Sequence, residues 1–103
     1  MVGNSASPKE EWHASVIASV EKITHICVGD STGAIIEEPL TSHGCILVPA
    51  NDLGLCASVT KALYSTTTEV YPDSPKTNDE ECNRAQRAAV EGALNYIRDF
   101  HSL

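Results

Sequence analysis

A chain of 103 residues with 42% apolar and 20% charged content is one domain's worth of sequence. It can bury about two-thirds of its unfolded surface in one core, and it is too apolar to stay disordered. Fourteen acidic against seven basic residues leave a net charge of −7, which argues against a nucleic-acid backbone or an anionic membrane as partner, since both demand clustered Lys and Arg.

No run approaches the ~18 apolar residues of a membrane span. The opening MVGNSASPKEEW lacks the basic start and apolar middle of a secretion signal. The expected location is therefore cytoplasmic, with Cys27, Cys45, Cys56 and Cys82 as reduced thiols rather than a disulfide frame.

In chain order, residues 1–7 are small and polar and predict a flexible lead-in to a single domain over 8–103. Ser7-Pro8-Lys9-Glu10 has the composition of a capping box, with Ser7 as N-cap and Pro8 at the first helical position. The helix that follows carries Trp12, Val16, Val20 and Ile23 at helical spacing, with Ile17 beside them. Residues 23–28 and 34–37 are β-rich runs joined by Gly29-Asp30-Ser31-Thr32-Gly33, the length and chemistry of a hairpin loop. A third run over 45–48 ends at Pro49, which cannot donate to a ladder.

Asn51 or Asp52 then caps a second predicted helix to about Tyr64. Its stripe is Leu55, Cys56, Val59, Ala62 and Leu63, weakened by Gly54. Residues 66–71 are β-branched and aromatic and predict a fourth strand, followed by a loop at Pro72-Asp73-Ser74-Pro75-Lys76. A last helix is expected over 78–101. Asp79, Glu80 and Glu81 stand in its first turn, where the helix dipole favours them, and Cys82, Ala85, Ala89, Ala93, Tyr96, Ile97 and Phe100 form its apolar stripe. The resulting fold class is α+β in the order α-β-β-β-α-β-α: a small single-layer, mostly antiparallel sheet with helices packed on one face.

Two motifs have catalytic look-alikes. Gly29-Asp30-Ser31-Thr32-Gly33 is similar to the G-x-S-x-G nucleophile elbow of the α/β-hydrolases, which needs a helix directly after the serine. Ala34-Ile35-Ile36-Glu37-Glu38-Pro39 is too short and β-branched to supply one, so the motif reads as a turn. Ser58-Val59-Thr60-Lys61 resembles the S-x-x-K of penicillin-binding proteins, but the companion S-D-N and K-T-G motifs are missing.

Three further sets bear on ligands. His25-Ile26-Cys27 and His43-Gly44-Cys45 are two H-x-C pairs. On strands, residues i and i+2 share a face, so the pairs together would present the two thiolates and two imidazoles that zinc accepts. Cysteine is also among the most buried residues without any metal, and these four are expected to be structural and metal-free. Arg84 and Arg87, one helical turn apart, could hold an anion together, or pair with Glu80, Glu81 and Glu91.

With each catalytic motif failing its context, the expected function is a non-catalytic binding module, of adaptor, inhibitor or immunity type, whose partner is a protein. The alternative is a protein that sequesters a small ligand with the meander loops and Arg84/Arg87. A third reading is a metal- or cysteine-dependent enzyme, with zinc as the only cofactor the residues suggest. The alanine-rich last helix has more face than one small core covers, which predicts a homo-oligomer, specifically a dimer.

Overall fold

The computed structural model describes residues 1–35, 37–55 and 58–102. In chain order the elements are β1 (Val2–Asn4), α1 (Glu10–Glu21), β2 (Ala34–Ile35), β3 (Glu38–Pro39), β4 (Ile46–Val48), α2 (Ala50–Leu53), β5 (Thr66–Thr67) and α3 (Asp79–Phe100). The fold is α+β, as expected; after β1 the element types also run α-β-β-β-α-β-α, but with a strand at Glu38–Pro39 in place of the one expected over 23–28.

Helix α3 forms where the sequence encodes it most strongly. Asn78 is extended, and its Oδ1 accepts the Glu81 N–H at 2.9 Å, satisfying one of the free donors of the first turn. Asp79, Glu80 and Glu81 follow against the positive helix pole. Cys82, Ala85, Ala89 and Gly92 are buried along one face. Small residues there let α1 approach closely, and Gly92 lies against Ser19 with no room for a methyl group.

Helix α1 buries Trp12, His13, Val16 and Ile17. Trp12, Val16 and Ala89 form the centre of the core, with Val20, Tyr64, Ala93, Tyr96 and Ile97 packed around it. The Trp12 indole N–H donates to the Ala93 carbonyl at 3.1 Å, so the ring is buried without an orphaned donor. Cutting a ring so placed to alanine costs about 3–5 kcal/mol.

The sheet lies against the same helix. Strand β1 is central, parallel to β4 (Val2 opposite Ile46, Gly3 opposite Leu47, Asn4 opposite Val48) and antiparallel to β5 (Val2 opposite Thr67, Gly3 opposite Thr66). Gly3 sits beneath α1: a Cβ there would stand 2.5 Å from His13 Cε1 and 2.7 Å from Leu47 Cδ2. Strands β2 and β3 form a separate two-stranded ribbon, Ala34 opposite Pro39 and Ile35 opposite Glu38, with Glu37 at φ 65° in its turn. Antiparallel pairings are thus in the majority, in two small sheets rather than a single layer.

Several boundaries differ from those the sequence predicts. The lead-in over 1–7 contains the central strand, because Val2-Gly3-Asn4 is chosen by its partners and not by β-propensity. Ser7 does not cap α1. Its N–H closes a turn onto the Asn4 carbonyl at 3.1 Å, and the helix starts at Glu10 after Lys9, with no side-chain cap. Residues 23–28 join no strand: the Ile23 and Thr24 N–H groups both donate to the Val20 carbonyl as α1 ends, and the chain runs on unladdered. The second helix stops at Leu53, because Gly54 takes the left-handed conformation of a helix terminator (φ 64°). Cys56, on its predicted stripe, and Ile36, in the second predicted strand, lie outside the described residues. Of residues 66–71, only Thr66–Thr67 pair. Among the described residues, no helix is long and apolar enough to cross a membrane.

Candidate functional site

The catalytic look-alikes resolve into turn chemistry. The Asp30 carboxylate accepts the Thr32 N–H at 2.8 Å, the Thr32 hydroxyl at 2.6 Å and the Ala34 N–H at 3.2 Å. Those bonds, the Thr32 hydroxyl first, hold its pKa below the usual value. Asp30 therefore organises the loop, and Ser31 is exposed on it with a short strand following instead of a helix. Ser58 commits its hydroxyl to the Leu55 carbonyl at 2.6 Å, while Lys61 is exposed in a segment without helix.

The two H-x-C pairs are split. Gly44 has φ 69°, which breaks the strand alternation, so His43 and Cys45 do not share a face. His43 is exposed, its Nε2 3.0 Å from Glu21 Oε1, while Cys45 is buried. His25 is half-buried, with Nε2 3.4 Å from the Ser74 hydroxyl and its ring 5.8 Å from Tyr71. Cys27 lies half-buried in the same neighbourhood; burial first, and then Cys27, push the Tyr71 phenol up. Among the described residues, no group of three or more His, Cys, Asp or Glu is placed to hold a metal ion. Arg84 and Arg87 are exposed on α3, and Arg87 Nε donates to Glu91 Oε1 at 2.8 Å.

The partner of Cys45 is His13, which the sequence pattern did not single out. Its signal was the i,i+4 spacing to Ile17, on the buried side of α1. Cys45 Sγ and His13 Nδ1 are 3.6 Å apart, and both residues are almost fully buried. Burial pushes the thiol up and the imidazole down, so the pair is neutral, the reverse of the thiolate–imidazolium state of a cysteine nucleophile. Among the described residues, His13 Nε2 has no hydrogen-bond partner.

Among the described residues, α3 is flanked by an open region of about 390 Å³ at Ser19, Gly92 and Asn95 and by two more. One is a partly open, mostly apolar pocket of about 40 Å³ between α1, α3 and residues 68–71, with His25, Tyr71 and Gln86 on its wall. That is space for a few waters, not for a metabolite.

The other is an open groove of about 320 Å³ where the start of α1 meets the end of α3. Its wall contains Trp12, Leu63, Tyr64, Tyr96, Phe100 and His101. Tyr64 meets Trp12 edge to face at 5.1 Å, and Tyr96 at 6.5 Å; the Tyr96 and Phe100 rings stack at 5.6 Å. The Tyr64 hydroxyl lies 3.0 Å from His101 Nε2, and the Tyr96 hydroxyl donates to Glu11 Oε2 at 3.4 Å. Phe100 and Leu63 remain 62% and 59% exposed.

Phe100 was expected on a buried stripe, but α3 runs past the core that α1 can cover, so its end forms a wall instead, while half-buried Tyr96 both packs on the core and borders the groove. The chain has one Trp, three Tyr and one Phe, and four of these five line this groove. Comparison with known proteins returns no matching family model and no matching curated protein.

Proposed function

We propose that the chain is a small acidic binding module that acts through a surface rather than by catalysis, and that the groove between the start of α1 and the end of α3 is that surface. The observation that carries this reading is the concentration of aromatic side chains there. Rings bring large contact area at small entropic cost, and they are the commonest anchors of protein interfaces. Exposed Phe100 and Leu63 supply apolar area that the fold itself does not use. The free thiols of Cys27, Cys45 and Cys82 fit a reducing compartment such as the cytoplasm.

Sequestration of a small ligand has less support, because the apolar pocket between α1 and α3 is small and neither Arg84 nor Arg87 lines it or the aromatic groove. A dimer is a narrower form of the same surface reading. The alanines expected to carry it, Ala85, Ala89 and Ala93, are used internally, and α3 offers outward Val90 and Leu94, one turn apart and 59% and 62% exposed.

The test is a chemical-shift screen of the full chain against a panel of short peptides. Hits should perturb Trp12, Tyr64, Tyr96 and Phe100 together, and Phe100→Ala should remove them with the circular dichroism unchanged, since that ring lies outside the core. Hits that map instead to the cavity wall at His25 and Gln86 would overturn the assignment of the surface.

A further inference from the structure

We infer that the occupant of this groove is a cationic side chain of a protein partner, arginine first and lysine second; this rests on reading the groove as the binding surface. The chain already places one cation there. Lys9 Nζ lies 5.6 Å from the centre of the Tyr64 ring, within the reach at which an ammonium is drawn to the electron-rich face of an aromatic ring. The groove is thus built to hold positive charge against rings.

Its electrostatics point the same way. Glu10 and Glu11 stand on its wall beside Lys9, so two carboxylates face one permanent cation. The last carbonyls of α3 add the negative pole of a 22-residue helix. Arg98, the one basic residue in that last turn, is engaged by Asp99 at 3.0 Å. At longer range, the net charge of −7 steers basic partners toward the chain and acidic ones away.

Arginine is favoured over lysine because its planar guanidinium can lie on a ring face while its edge donates to a carboxylate in bidentate fashion. Here Glu11 is already fixed beside a ring by the Tyr96 hydroxyl. Lys9 then plays a second part: it competes with the incoming side chain for the Tyr64 face.

The experiment uses the full chain and two capped glycine peptides, one with a single central arginine and one with citrulline, its neutral isostere, titrated by NMR in the millimolar range. The arginine peptide is expected to shift Tyr64, Tyr96 and Phe100 saturably and to bind about fivefold more tightly than the citrulline peptide. Glu11→Gln should weaken the arginine peptide. Lys9→Ala should tighten it, an effect that a purely apolar groove would not show. Equal binding of both peptides in the groove overturns the inference and leaves the binding surface standing. Absence of binding by either overturns both. Shifts confined to Asp79, Glu80 and Glu81 would mark simple charge pairing elsewhere and also overturn the inference.

Discussion

Gly92→Ala tests the close approach of α1 and α3. In an isolated helix this change is favourable by about 1 kcal/mol, because alanine loses less backbone freedom than glycine. In α3 the new methyl carbon would stand 2.7 Å from Ser19 Cβ, and nearer still to the Ser19 hydroxyl. Carbons in contact prefer about 3.5–4.0 Å, so the helices must part by roughly an ångström, or Ser19 must leave its rotamer and its bond to the Ser15 carbonyl. Overpacking of this kind costs about 1–3 kcal/mol. The cost exceeds the gain, and the variant should lose about 1 kcal/mol, or about 5 °C in melting temperature.

A second background separates the two effects. Ser19→Gly removes both offending atoms, so in that background Gly92→Ala should become stabilising by about 1 kcal/mol. Urea unfolding of the four proteins in this cycle reads the coupling directly. If Gly92→Ala raised the midpoint in the unaltered chain, α1 and α3 would not be packed as closely as described.

Three further outcomes are expected. Burial holds the His13 pKa below its usual 6.5; the unfolded chain takes up a proton there that the folded chain refuses, so this stabilisation is complete above pH 6.5 and is lost as pH falls below it, by no more than about 1.4 kcal/mol per pH unit. His13→Leu should flatten the slope of melting temperature against pH below 6.5, and an unchanged slope would show that His13 titrates freely. Asn78→Ala should cost about 1 kcal/mol in urea unfolding through loss of the bond to the Glu81 N–H, while Asn78→Asp should retain most of it. Cys45→Ser should cost about 1–2 kcal/mol for a hydroxyl in an apolar site, and a chelator should leave the melt of the parent chain unchanged; a chelator-sensitive melt with one metal per chain by elemental analysis would refute this.

What was legible in the sequence follows the strength of local physics. Helix α3 was readable because cap, dipole charges and a 22-residue periodic stripe agree. The ends of α1 and α2 were harder. Ser7 has cap chemistry, but the turn that ends β1 takes its backbone first, and Gly54 outweighs the apolar spacing beyond it. Strand β1 was illegible, since three residues containing glycine and asparagine carry no β signal and owe their place to partner residues 44 and 63–65 positions away. The aromatic groove was hidden for a related reason. Tyr64 arrives from a loop and Trp12 from the other end of the chain, and helical spacing alone assigns Phe100 to a core that does not extend that far.

The central position of β1 also has a bearing on how the protein is made. Its partners are made after it: β4 is complete only at residue 48 and β5 at residue 67. Trp12, which emerges soon after, waits for Ala93, 81 residues downstream, before its indole is satisfied. Pairings this distant make for slow folding, because the intervening chain must be ordered before the contacts can repay it. Until α3 is made the nascent segment would display Trp12, Val16 and Ile17 unprotected, the condition under which chains associate wrongly and chaperones are needed. Synthesis has to reach α3 before the core can close.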